Sequence, residues 1–127
     1  MSKVIRAEGA PAAIGPYSQA RMTGDTLYCS GQIGLDPQSG DLVAGGFEAQ
    51  ARRVLANLEA VLHEAGMTFA EVVKLTVYLT DLTNFPALNT IFGELLPEPH
   101  PARATVQVAA LPRNALVEID LIAVRER

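Results

Sequence analysis

The sequence predicts an α+β fold, a six-stranded mixed sheet with two helices packed on one face, in the order β-β-β-α-β-α-β-β. Three observations predict it. Two stretches carry apolar residues at the three-and-four spacing of one helical face, while several others alternate apolar and polar residues with the period of two that a pleated strand imposes. Turn and stop residues, among them Gly24-Asp25, Gly66 and Pro97, fall between those runs. The chain has 127 residues, 49% hydrophobic and 19% charged, which suits one compact unit and not a disordered or low-complexity chain. Residues 1–127 are therefore read as one domain.

A short edge strand is predicted over 3–6. Strands over 18–23 and 26–32 follow, joined by the Gly24-Asp25 turn. A helix over 47–65 places Phe47, Ala51, Val54, Leu55, Leu58, Val61, Leu62 and Ala65 on one face, and Gly66 supplies a left-handed stop. The strand over 72–80 points Val73, Leu75, Val77 and Leu79 one way and Lys74, Thr76 and Tyr78 the other. A second helix over 85–96 tolerates Pro86 in its first turn, carries a stripe of Leu88, Phe92, Leu95 and Leu96, and ends at Pro97. Asn89 lies off that stripe. The last strands cover 103–108, with Ala104, Val106 and Val108 opposed to Arg103, Thr105 and Gln107, and 116–122, with Val117, Ile119 and Leu121 opposed to Glu118, Asp120 and Ile122.

Two helices can cover one face of such a sheet. The other face, with Tyr78, Leu116, Ile122 and Val124, is too apolar to be left in water, so another copy of the chain is expected to cover it. Strand parity places Arg103, Thr105, Gln107, Lys74, Glu118 and Asp120 on that same face, which would trap a polar site between subunits.

Composition narrows the function. Ten Lys plus Arg against fourteen Asp plus Glu give a net charge of -4, and a pI of about 5.1 offers no field to attract a nucleic acid. The longest uncharged stretches, 9–20 and 82–93, are shorter than the roughly twenty residues a bilayer span needs. The N-terminus turns charged before any apolar segment forms, so no signal peptide is expected and a cytoplasmic location follows. Cys29 is the sole cysteine, which excludes an intrachain disulfide.

Few motifs carry chemistry. Gly31-Gln32-Ile33-Gly34 is neither a dinucleotide fingerprint nor a P-loop and reads as turns. His63, His100 and Cys29 lack metal-ligand spacing, so no metal is expected. Cys29-Ser30-Gly31 lacks the glycine two residues before the serine that a nucleophile elbow requires, and Cys29 alternates with Leu27 on the apolar side of its strand. Arg103 and Glu118 remain. A guanidinium on a partly covered face must be paired or await an anion, and parity alone leaves open a structural salt bridge or a clamp for a small carboxylate.

The ordered set of residues resembles the RidA (YjgF-like) family of reactive-intermediate deaminases over nearly the whole chain. It comprises Ala10-Pro11 through Gly15-Pro16-Tyr17-Ser18-Gln19-Ala20, Ser30-Gly31-Gln32-Ile33-Gly34-Leu35-Asp36-Pro37, Asn57-Leu58 and Val73-Lys74-Leu75-Thr76-Val77-Tyr78-Leu79-Thr80-Asp81. Phe85, Asn89, Pro101-Ala102-Arg103, Leu111-Pro112 and Val117-Glu118-Ile119 complete it. The resemblance implies a chorismate-mutase-like α+β fold and a homotrimer with sites at subunit interfaces. It implies hydrolysis of 2-imino acids (2-iminopropanoate, 2-iminobutanoate) and of enamines such as 2-aminoacrylate to 2-keto acids and ammonia, without metal or organic cofactor.

By the same resemblance Arg103 binds the substrate carboxylate and Glu118 orients or activates water, while Tyr17, Ser30, Gly31 and Asn89 occupy other pocket positions. Thr105 stands where many members carry cysteine, at a position whose backbone contacts the carboxylate. Two other readings compete: a non-catalytic regulatory module that binds a small carboxylate, and a ribonuclease or translation inhibitor, which the acidic pI disfavours.

Overall fold

The computed structural model describes residues 2–126. Its elements run β1 (Ser2–Ile5), β2 (Ala20–Thr23), β3 (Thr26–Gln32), α1 (Gly46–Glu64), β4 (Val72–Leu79), α2 (Phe85–Leu95), β5 (Ala102–Gln107) and β6 (Val117–Val124). The six strands form one sheet in the order β1-β2-β3-β6-β4-β5. All pairings are antiparallel except β4 with β5, so the sheet is mixed. The element order and the two helices agree with the sequence expectation.

The hairpin between β2 and β3 closes on Gly24, whose φ of +58° a residue with a side chain adopts at a cost. On α1 the expected stripe is buried from Ala51 to Leu62, and Phe47 packs half-buried at its start. Gly66 takes φ +75°, and the Met67 N–H reaches back to the Leu62 carbonyl at 2.9 Å, satisfying a terminal acceptor.

Two details differ from the sequence pattern. Val73 is 48% exposed, not buried, because the β4–β6 register shifts between Val72 and Lys74 and the extra residue turns outward. On α2, Leu95 is 40% exposed while Ile91 is buried. The chain leaves helical geometry at Leu96, which turns inward instead.

The core lies between the helices and one face of the sheet, where Leu27, Leu75, Val77, Leu79, Ile119 and Leu121 meet Val54, Leu58, Leu62 and Leu88. Three buried polar side chains tie loops to this core. The Asn57 amide donates to the Leu35 carbonyl at 3.0 Å, and Gln50 Oε1 accepts from the Leu116 N–H at 2.8 Å. Gln19, 4% exposed, anchors the segment that precedes β2. The opposite face of the sheet carries no helix, and Tyr28 and Val106 are 49% and 42% exposed there. No helix among the described residues is long and apolar enough to cross a membrane.

Candidate functional site

β5 is an edge strand, held only on its β4 side, with Leu75 opposite Arg103, Val77 opposite Thr105 and Leu79 opposite Gln107. Residues paired across a ladder share a face. Arg103, Thr105 and Gln107 therefore lie on the helix-covered side with three fully buried residues of β4. This corrects the sequence expectation, which put them on the open face with Glu118. The alternation along β5 was right but its sense was inverted. At an edge both faces stay partly wet, none of β5 is fully buried, and the hydrophobic pattern loses its power to fix the register.

On that side Arg103 meets α2. One guanidinium nitrogen, Nη1, donates to Asn89 Oδ1 at 2.8 Å. The guanidinium carbon sits 5.1 Å from the Phe85 ring centroid and 5.6 Å from that of Phe92, within the range of cation–π attraction. Asn89 can hold this position because it lies off the apolar stripe of α2. No carboxylate lies within ion-pair distance of Arg103 among the described residues, so its remaining N–H groups are available to an anion. Gln107 fastens the turn that leads into α2 by accepting from the Leu82 N–H at 2.9 Å. Thr105 Oγ1 is buried without a hydrogen-bond partner in this arrangement. Beside Arg103, under α2, runs a crevice of about 460 Å³ that Asn89 also lines.

Glu118 belongs to the other face. It pairs with Tyr78 in the β4–β6 ladder and points away from its buried neighbours Val117 and Ile119. The β3–β6 register shifts between Cys29 and Gln32, and this irregularity sets Gly31 against the Glu118 carboxyl group. A Cβ added to Gly31 would stand 2.3 Å from Glu118 Oε2 and 2.9 Å from its Cδ, so only glycine leaves the carboxyl group its place. Burial, then the negative charge of Asp120, pushes the Glu118 carboxyl above the ordinary carboxylate range. Asp120 is itself engaged by the Tyr78 hydroxyl, which donates to it at 3.0 Å.

Glu118 forms part of a cleft of about 560 Å³ with Tyr17, Ser30, Gly31, Ile33 and Arg113. The Ser30 hydroxyl donates to the Ser18 carbonyl at 2.5 Å, and the Ser30 N–H donates to the Gln19 carbonyl at 2.9 Å. Tyr17, 53% exposed, accepts from the Ile14 N–H at 3.4 Å. Gln19 fixes this wall from behind: its Oε1 accepts from the Ala7 N–H at 2.6 Å. Its Nε2 donates to the Ala7 and Pro11 carbonyls at 3.1 and 2.7 Å.

The expected residues thus separate into two groups. Tyr17, Ser30, Gly31 and Glu118 share one cleft; Arg103 and Asn89 share another, with Thr105 two residues along β5. The two groups lie on opposite faces of the sheet, and one chain does not bring them together. Gln19, Gln107, Phe85 and Phe92 appear in the sequence reading as a motif, a face or a stripe, with no site role assigned to any of them. The two glutamines act on backbone groups far away in sequence, which no local spacing announces. Phe92 was legible only as a member of an apolar stripe, although its register with Asn89 one turn earlier hints at a shared guest. Cys29 is buried at the core, and desolvation, reinforced by the Asp120 charge, pushes its thiol up to about 12, which leaves it protonated and unreactive.

A family model described as endoribonuclease L-PSP matches residues 7–125. The 2-iminobutanoate/2-iminopropanoate deaminase of Mus musculus is 52% identical over 123 residues, 97% of this chain and 91% of its own. Among solved structures, RidA from an Antarctic Psychrobacter superposes with a TM-score of 0.94 at 49% identity, over 97% of this chain and 99% of that one. E. coli TdcF, solved with bound serine, gives a TM-score of 0.89 at 40% identity, over 98% and 99%. The mixed sheet and its two helices are those of these relatives, consistent with the chorismate-mutase-like architecture. With the match spanning nearly the whole chain, this protein belongs to the RidA (YjgF-like) family.

Proposed function

We propose that this protein is a 2-imino acid deaminase whose active site forms where copies of the chain meet, one copy supplying Arg103 and the next Glu118. The observation that carries the reading is the division of the site. An unpaired guanidinium cradled by Asn89 and two phenyl rings faces one way, and a carboxyl group with a raised proton affinity, seated on Gly31, faces the other. Each half lacks what the other has. The open sheet face is too apolar for water and supplies the surface on which copies would pack, which favours a closed assembly such as a homotrimer. The deaminase name of the mouse relative and the serine in E. coli TdcF, itself a small 2-substituted carboxylate, point to the same class of guest.

The chemistry follows from the parts. Arg103 binds the carboxylate of the imino acid, its orientation set by Asn89, and Thr105 adds a contact beside it. Water adds to C2 of the C=N bond while Glu118 accepts its proton. The same carboxyl group returns that proton to nitrogen, giving the carbinolamine; the carbinolamine hydroxyl proton then passes through Glu118 to nitrogen, the C–N bond breaks as the C2 carbonyl forms, and ammonia leaves a 2-keto acid. An enamine such as 2-aminoacrylate first takes a proton at its terminal carbon, and protonated Glu118 supplies it. Burial raises the proton affinity of Glu118 and so favours the protonated form that this step uses, while the ionised form serves the water-activating step. Tyr17, Ser30 and Gly31 shape the water side of the site. No organic cofactor is needed for this sequence of steps, and the chain acts as one domain, in the cytoplasm.

The test is a coupled assay in which an amino-acid oxidase releases 2-iminopropanoate and keto-acid formation is followed. The protein accelerates it, and Arg103→Ala lowers kcat/KM by at least 100-fold. Equal rates with and without protein, or an Arg103→Ala variant as fast as the unmodified chain, refute the proposal.

A further inference from the structure

Of the ten glycines in the chain, Gly93 alone has neither a positive φ nor any atom within 4 Å of an added Cβ. The others turn the chain through left-handed geometry or admit a close neighbour, as Gly31 admits Glu118 and Gly34 admits the α1 backbone at Gln50. Gly93 sits inside α2, where glycine weakens a helix relative to alanine. Neither backbone nor packing asks for it. Gly93 is exposed and borders the crevice beside Arg103, whose lining also includes Leu75, Phe92, Leu96 and Pro101.

We infer that this crevice is the subsite for the side chain of the substrate, and that Gly93 sets its size, selecting 2-imino acids with branched aliphatic or aromatic side chains. The inference rests on the proposed role of Arg103 as carboxylate anchor. A carboxylate on that guanidinium places the next atoms of the guest beside Phe92 and Gly93, because both Arg103 and those residues line the same hollow. Leu75, Phe92, Leu96 and Pro101 give the crevice an apolar side away from Arg103 and Asn89, so a hydrocarbon group gains by leaving water against them, while a charged side chain would be desolvated there without a partner. At about 460 Å³ the space lies within the range of small-molecule pockets and exceeds what a methyl or ethyl group fills.

The experiment compares Gly93→Ala and Gly93→Leu with the unmodified protein on imines that an amino-acid oxidase releases from phenylalanine, leucine and alanine, and follows thermal unfolding of each variant. The expected result joins opposite signs. Tm rises in both variants because the helix loses its weak residue, by about 2–5 °C. In Gly93→Leu the ratio of kcat/KM for the phenylalanine imine to that for 2-iminopropanoate falls at least tenfold, mainly through KM, with Gly93→Ala between. A ratio that moves less than twofold overturns the inference, as does an equal loss on all three imines. If the unmodified protein turns over none of them, the proposed reaction fails, and the crevice is judged by binding of 4-methyl-2-oxopentanoate against pyruvate. Selective loss of the larger keto acid in Gly93→Leu then upholds the subsite, and unchanged preference rejects it.

Discussion

Gly31 and Glu118 are one unit at the level of single residues. A methyl group at position 31 collides with the Glu118 carboxyl group and must drive it off the cleft floor. Gly31→Ala is expected to lower kcat/KM at least tenfold while Tm stays within a few degrees, since Gly31 is exposed and sits outside the left-handed region; steady-state kinetics and calorimetry check the two halves. Glu118 also marks the stability profile. Its folded-state proton affinity exceeds the ordinary value of 4.5, so the folded chain holds this proton more tightly than the unfolded chain does. The contribution is present below the ordinary value and is lost as pH rises through the raised one. Glu118→Gln, neutral at every pH, should gain in Tm over the unmodified protein at pH 7 and lose that advantage at pH 4. An advantage that does not shrink on acidification contradicts the assignment.

Among the elements, one buried side chain gathers the segment before β2. Gln19 binds the backbone of Ala7, Ala10 and Pro11 from a buried position. Gln19→Leu keeps the volume but leaves those groups unpaired, and urea denaturation should show a loss of about 2–4 kcal/mol. This contact also shows where the sequence was silent. The stripes of α1 and the alternation of β6 were readable because a packed face imposes its period on every residue in it. The sense of β5 was not, because an edge strand with no buried residue leaves its parity unspecified. Val73 escaped for a related reason: a bulge adds one residue and breaks the period of two. Arg103, Glu118 and their neighbours were legible by family resemblance, whereas their division between faces needed the register of the whole sheet.

Across the whole molecule, a divided site makes a prediction about mixtures. Arg103→Ala and Glu118→Gln each disable every site in a homogeneous assembly. Co-refolded in equal amounts, they form assemblies in which about one quarter of the sites receive an intact half from each parent. The mixture should therefore recover about a quarter of the unmodified activity per site, read in the coupled assay, whereas a site confined to one chain recovers none. Sedimentation across a concentration range tests the same assembly, because the apolar sheet face should keep the protein associated well below the concentrations used for kinetics.

The position of β6 between β3 and β4 has a separate consequence for biosynthesis. It follows every other strand of the sheet in the chain, and until it is made, β1-β2-β3 and β4-β5 are two ribbons with raw edges and no common ladder. β6 is thus the keystone of the sheet, and a chain that lacks it keeps two separate ribbons whose open edges invite aberrant strand pairing.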